Sequence, residues 1–199
     1  MHWTIIANYL AANWMEDVGA VTSLVGIWLI TRRNLLCWPT VLIAELLYMI
    51  VFYRVRLYSG ALLQIVFIGV TLYGWWYWWR GMRDEGEVRI VRLPMSSLIA
   101  GLVVGTAGSV LMGLLMERMG ASLPRLDATL MSYSLVATWW QTRKHAENWL
   151  LWIVVDMFYI GEYLYKGLST TAVLYALLAG LAVLGLRDWR RAAATQRAA

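Results

Sequence analysis

Long apolar runs separated by short charged segments dominate the sequence. Uncharged runs mark seven candidate spans, at residues 18–31, 35–53, 59–79, 96–116, 128–142, 147–165 and 170–187. A helix needs about 20 apolar residues to cross the hydrocarbon core of a bilayer. The pattern therefore predicts an all-α membrane protein with seven transmembrane helices, of which the first is short and is extended by its flanks.

The first 15 residues differ from these spans. They contain no Lys or Arg, so they lack the basic start of a signal peptide. Their large apolar side chains recur at roughly helical spacing, at Trp3, Ile6, Tyr9, Leu10 and Trp14. This spacing predicts a separate helix over residues 1–17 that lies in the membrane interface and is anchored by its aromatic side chains.

Basic residues are distributed unevenly over the two sides that seven spans would define. Twelve of the 17 Lys and Arg residues fall in the segments after the first, third, fifth and seventh spans. Cytoplasmic loops of membrane proteins carry an excess of these residues. The sequence therefore predicts an N-terminus outside the cell and a cytoplasmic tail over residues 192–199.

The first half of the chain repeats in the second half at an offset of 111 positions. Across residues 28–80 the match needs no gap, and Trp28, Trp38 and Trp78 each meet another tryptophan. Three coincidences of so rare a residue are far more than chance gives, so the repeat is genuine. It predicts two three-helix units, over residues 18–94 and 127–191.

Residues 95–126 have no counterpart in the repeat. A single span here returns the chain to the side on which the first unit began, which gives a 3+1+3 plan with parallel repeats. Its glycines, Gly101, Gly105 and Gly108, suit close packing against a neighbouring helix. In transporters of this plan the substrate site lies near the midplane at the repeat interface.

The amino-acid composition and the absence of known motifs exclude several classes of protein. The chain is 61% hydrophobic and 15% charged and has one cysteine, which excludes a disordered chain, a disulfide scaffold and a zinc ribbon. The net charge of +5 is explained by basic loops, so it does not indicate a nucleic-acid partner. No P-loop, HExxH or GxSxG motif occurs. We therefore expect no enzyme, no catalytic residue, no metal site and no cofactor.

Two acids lie at matched positions inside the predicted spans. Glu45 falls in the second span, and its repeat mate Asp156 falls in the sixth. A carboxylate at the bilayer centre costs about 2.5–3.5 kcal/mol, so each should face protein or water. The two acids either fix helix packing through a hydrogen bond or line a path for a cationic substrate. Since both acids could titrate, coupling of transport to protons stays an open alternative. Glu162, nearer a span end, is expected to reach the outer interface.

A second group of polar and aromatic residues could face a ligand. Gln64 lies in the third span with Thr71 two turns along the same face, and its repeat mate is Tyr175. These groups form either interhelical hydrogen bonds or ligand contacts. Trp139 and Trp140 are adjacent, so at least one should point into the bundle, where it could stack on a flat ligand. The alternative is that both belong to an interfacial belt.

The runs over residues 62–80 and 137–190 resemble the PnuC family of vitamin transporters. The combination of YGWW at 73–76 with TRKHAENWLLWIVVD at 142–156 carries this resemblance. It implies a SWEET-like fold that imports nicotinamide riboside across the bacterial inner membrane by facilitated diffusion. It further implies trapping by a cytoplasmic kinase, assembly as a homotrimer among membrane lipids, and relatives that carry thiamine or riboflavin.

The resemblance also implies a substrate site. Its members here are Gln64, Phe67, Thr71, Trp139, Trp140, Glu147 and Asn148, to which the repeat adds Tyr175 and the pocket or structural acids Glu45 and Asp156. The family often has Asn where this chain has Thr71. Because Thr lacks the two amide donors, thiamine remains an alternative substrate.

Overall fold

Seven α-helices make up the fold in the computed structural model, which describes residues 2–54, 56, 58–118 and 123–198. Side chains at residues 2–13, 58, 59, 85, 170 and 198 lie outside this description. The helices are α1 (His2–Thr31), α2 (Cys37–Arg54), α3 (Tyr58–Glu85), α4 (Met95–Arg118), α5 (Pro124–Thr142), α6 (Asn148–Tyr165) and α7 (Ser169–Ala198). No strand forms within the described ranges, where Val91 and His145 make one isolated backbone bridge.

Four of these helices are long and apolar enough to cross a membrane. The qualifying segments are Cys37–Arg54, Gly60–Asp84, Met95–Arg118 and Thr171–Arg197. Of the remaining helices, α5 is rich in Ser and Thr and α6 carries several Trp and Tyr residues. The described helices thus identify a multi-pass membrane protein.

The N-terminal segment continues directly into the first predicted span. α1 runs without a break from His2 to Thr31, so the prediction of a separate helix over residues 1–17 is wrong. No proline interrupts this stretch, and Glu16 and Asp17 are compatible with a helix interior. The predicted anchors Trp3, Ile6, Tyr9 and Leu10 lie outside the described side chains.

The predicted tail is helical over its described residues, 192–198. Residues 192–198 continue α7, because the run of alanines there strongly favours helix. The Gln196 side chain accepts a hydrogen bond from the Ile90 backbone N–H at 2.9 Å and donates one to the Val88 carbonyl at 3.3 Å. This end of α7 therefore holds the segment that follows α3.

Helix ends recur at the offset of 111 positions. α1 and α5 end at equivalent residues, α2 and α6 share both ends, and α3 and α7 begin at equivalent residues. The left-handed positions recur as well: Arg33 (φ 56°) matches Lys144 (φ 64°), and Arg56 (φ 62°) matches Gly167 (φ 73°). The sequence repeat is therefore a repeat of local backbone structure.

The chain divides into two compact units, Met1–Arg80 and Gly81–Ala199. In the first unit, Trp38 and Trp78 meet edge-to-face with ring centroids 5.2 Å apart. In the second unit, their repeat mates Trp149 and Trp189 make the same contact at 5.6 Å. All four rings are fully buried. Each pair contributes about 1 kcal/mol beyond the burial of its area, so each unit has its own aromatic core.

Close packing of α4 on α5 confirms the prediction for the connector glycines. An ideal Cβ at Gly101 would lie 2.6 Å from the Trp140 ring, and one at Gly105 would lie 2.8 Å from the Tyr133 ring. At Gly108 the same Cβ would also crowd α5. Gly101 and Gly105 need glycine because aromatic rings occupy the space of a side chain, and at Gly108 that space is taken by the Ser132 hydroxyl.

Candidate functional site

Glu45 and Thr71 form a buried hydrogen-bonded pair in the first unit. The Thr71 hydroxyl donates to Glu45 Oε1 at 2.7 Å, and Thr71 is only 1% exposed. Among the described residues, nothing hydrogen-bonds the other buried carboxylate oxygen, Oε2. Thr71 therefore fixes the orientation of the acid, and its own hydroxyl is already engaged.

Aromatic side chains share the face of α2 that carries Glu45. Tyr48 and Phe52 follow it at three and seven residues, which places all three on one side of the helix. Their rings stack at 6.0 Å between centroids, with 28° between planes. Gln64 and Phe67 lie half-buried in α3 of the same unit.

A carboxylate and three phenol rings form a cluster in the second unit. Asp156 in α6 is 3% exposed, and Tyr159 and Tyr163 follow it at the same three- and seven-residue spacing. Tyr175 from α7 lies 4.7 Å from the Tyr159 ring and 5.1 Å from the Tyr163 ring. Aromatic faces attract cations, and a carboxylate beside them adds charge complementarity. The cluster therefore suits a flat, positively charged ligand.

The two groups occupy equivalent positions of the repeat. We name them the carboxylate–aromatic sets: Glu45, Tyr48, Phe52 and Gln64 in the first unit and Asp156, Tyr159, Tyr163 and Tyr175 in the second. The sequence analysis identified both acids and the fourth members, Gln64 and Tyr175. It missed the aromatic members Tyr48, Phe52, Tyr159 and Tyr163, although applying the repeat offset along the face of each helix would have found them.

The adjacent tryptophans of α5 differ in burial. Trp140 is 6% exposed and packs against Gly101 of α4, whereas Trp139 is 46% exposed. This confirms that one of the two points into the bundle. Trp140 serves helix packing in this structure, and stacking of either ring on a ligand stays a prediction.

Glu147 and Asn148 organise the turn between α5 and α6. The fully buried Asn148 donates through Nδ2 to the His145 carbonyl at 2.6 Å. Glu147 Oε2 accepts from the Leu93 N–H at 3.2 Å, which ties the segment before α4 to this turn. Their contact with a ligand stays a prediction, because the structure shows only these local roles.

His145 in the same turn is buried and close to Val91. Its Nδ1 lies 3.1 Å from the Val91 carbonyl, and the Val91 N–H donates to the Lys144 carbonyl at 3.0 Å. Burial lowers the pKa of His145, and this outweighs the opposite effects of the Val91 carbonyl and Glu147. The neutral imidazole therefore dominates at neutral pH and can donate to Val91 through Nδ1.

Glu162 lies in an ion-pair cluster near the end of α6, and its expected position at the outer interface stays a prediction. It is buried and pairs with Lys166, whose ammonium also lies 3.2 Å from Asp127 Oδ1. Burial opposes the charge on Lys166, but the two carboxylates outweigh it and raise the pKa of Lys166. The cluster joins the start of α5 to the end of α6. Within the described ranges, no group of three His, Cys, Asp or Glu side chains could hold a metal ion.

Comparison with known proteins identifies the family. The model for the nicotinamide mononucleotide transporter family matches residues 13–191. The nicotinamide riboside transporter PnuC of Escherichia coli is 27% identical over 95% of this chain and 90% of its own length. The riboflavin/roseoflavin transporter RibM of Streptomyces davaonensis is 28% identical over 88% of this chain and 84% of its own.

A solved structure shares the fold. The crystal structure of a vitamin B3 transporter, PnuC, superposes with a TM-score of 0.76 at 20% identity, over 96% of this chain and 87% of the other. This likeness agrees with the resemblance read from the YGWW and TRKHAENW motifs. Because the family model spans nearly the whole sequence, the chain belongs to the nicotinamide mononucleotide transporter family.

Proposed function

We propose that this protein imports nicotinamide riboside by facilitated diffusion. The observation that carries the proposal is the carboxylate–aromatic set of the second unit, where Asp156 shares a helix face with Tyr159 and Tyr163 and Tyr175 packs against both rings. Nicotinamide riboside has a flat pyridinium ring with a permanent positive charge and no phosphate. Aromatic stacking and a nearby carboxylate match both properties.

Each candidate residue then has a role that its position supports. Asp156 balances the positive charge in the second unit, Glu45 supplies the equivalent carboxylate of the first unit, and Thr71 acts through Glu45 by holding that carboxylate in place. The tyrosines bind the flat ring. The Gln64 amide offers both donors and an acceptor for ribose hydroxyls. The remaining candidate residues shape and support the path of the substrate. They are Phe67, Trp139, Trp140, Glu147 and Asn148.

The transport cycle follows from the repeat. All seven helices span the membrane in a 3+1+3 plan, and the two three-helix repeats alternate access to the substrate. The distribution of basic residues supports an outside N-terminus and a cytoplasmic C-terminus in the bacterial inner membrane. A cytoplasmic kinase phosphorylates the imported substrate, which keeps the concentration gradient of the free substrate directed inward. The protein assembles as a homotrimer.

Other substrates of the family separate by charge. Riboflavin is suggested by the relative RibM, but its ring system is neutral and gains nothing from a carboxylate. Thiamine, suggested by Thr71, is a flat cation like the riboside. A mononucleotide carries a phosphate that the buried acids Glu45 and Asp156 would repel. Charge therefore favours the two cations, and the similarity to the nicotinamide riboside transporter PnuC supports the riboside, with thiamine as the alternative.

Binding to the purified protein in detergent tests this assignment. Nicotinamide riboside, thiamine, riboflavin and nicotinamide mononucleotide are titrated side by side by calorimetry. We expect saturable binding of the riboside, a loss of about tenfold or more in Asp156→Asn, and no change in the exposed control Asp84→Asn. Binding of riboflavin alone, or equal affinity in both variants, would refute a cation site.

A further inference from the structure

A basic groove lies in the second unit, away from the carboxylate–aromatic set. It is a cavity of about 220 Å³ between the segment before α4, the turn between α5 and α6, and the last turns of α7. We call it the arginine groove. Its lining residues include Arg92, Glu147, Arg190, Ala193, Ala194 and Arg197.

The walls of the groove are fixed by hydrogen bonds. Gln196 binds the backbone N–H of Ile90, and Glu147 binds the backbone N–H of Leu93. Arg92 lies between these two anchored residues, so its backbone is held on the side of the groove opposite α7. The site is therefore built by tertiary structure and is more than a run of basic sequence.

The arginines surround a small floor on α7. Arg190 and Arg197 are seven residues apart, two turns along one face, and Ala193 and Ala194 between them leave the cavity open. Across from them lies Arg92. All three arginines are exposed, and none forms an ion pair within the described part of the chain.

Charge in the groove is unbalanced. Three guanidinium groups face one carboxylate, that of Glu147, and its Oε2 already accepts a hydrogen bond from Leu93. Guanidinium groups bind phosphate oxygens through paired, charge-assisted hydrogen bonds. An anion with several oxygens would satisfy this arrangement, whereas a cationic vitamin would be repelled.

We infer that the arginine groove binds a phosphate group, supplied either by an anionic lipid headgroup or by a soluble phosphorylated compound. The groove shares no member of the carboxylate–aromatic sets, and Glu147 is its one residue in common with the predicted transport site. The site is thus a second ligand site on the protein, with a chemistry opposite to that of the transported cation.

Two arms of one experiment distinguish the sources of the phosphate. In the first arm, the protein in phosphatidylcholine nanodiscs is titrated with inorganic pyrophosphate by calorimetry. In the second, native mass spectrometry counts phosphatidic acid retained from nanodiscs that contain it. The test variant is Arg92→Gln/Arg190→Gln/Arg197→Gln. The control is Arg89→Gln/Arg187→Gln/Arg191→Gln, which removes the same net charge outside the groove.

We expect saturable binding in at least one arm, weakened at least tenfold in the test variant and less than threefold in the control. Pyrophosphate binding identifies a soluble ligand, and retained phosphatidic acid identifies a lipid. Absence of binding in both arms, or equal losses in the two variants, would overturn the proposal. Circular dichroism and riboside binding confirm that each variant is folded.

Discussion

Replacing Thr71 with Val removes the hydrogen bond that orients Glu45. Val has the shape of Thr without the hydroxyl, so the change isolates the 2.7 Å bond to Glu45 Oε1. Because Oε2 already lacks a partner among the described residues, the variant leaves both oxygens of a buried acid unsatisfied. A hydrogen bond to a charged group contributes about 1.5–3 kcal/mol, so we expect a loss of about 2 kcal/mol in the free energy of unfolding.

Unfolding by increasing SDS in mixed micelles measures this loss, with Thr71→Ser as the control that keeps the hydroxyl. Removing both partners in Glu45→Leu/Thr71→Val should cost less than the sum of the single changes, because no polar group is then left unpaired. A loss below about 0.5 kcal/mol in Thr71→Val, or strict additivity, would refute the pair as a stabilising contact.

Three further predictions follow from the second unit. Gly101→Ala should destabilise the protein by about 1–3 kcal/mol, because its Cβ would meet Trp140, while Gly180→Ala, with open space around it, should be neutral or stabilising in the same SDS titration. Asp156→Asn should lower riboside uptake by cells about tenfold and leave the amount of membrane protein unchanged in immunoblots. Burial lowers the pKa of His145 below its ordinary 6.5, so the unfolded state binds the proton first and stability should fall as pH drops through 6.5. His145→Gln should flatten that dependence in thermal unfolding measured from pH 5 to 8.

Much of the fold follows from the sequence because hydrophobic runs and the internal repeat are periodic signals. The offset of 111 positions, found through Trp38 and Trp78, locates the same aromatic pair, helix ends and left-handed residues in both halves. The three connector glycines indicated close packing correctly. Local composition misled at the N-terminus, where residues 2–17 are part of α1 and do not form a separate helix.

The candidate site was harder to predict because sequence spacing does not show how polar groups pair. Thr71 was expected to face a ligand, but in the structure its hydroxyl donates a hydrogen bond to Glu45. Asn148 was expected there as well, and its amide binds the turn that contains His145. The Thr71 contact joins two helices and the Asn148 contact closes a local turn, and a pattern of apolar and polar positions encodes neither.

We propose above that this protein carries nicotinamide riboside across a membrane by facilitated diffusion. Purified protein in liposomes tests it most directly, with radiolabelled riboside outside and a riboside kinase with ATP enclosed. We predict saturable uptake that is inhibited by unlabelled riboside and is unchanged when a proton gradient is collapsed. Uptake no faster than in empty liposomes, or uptake that stops when the proton gradient is collapsed, would contradict the account.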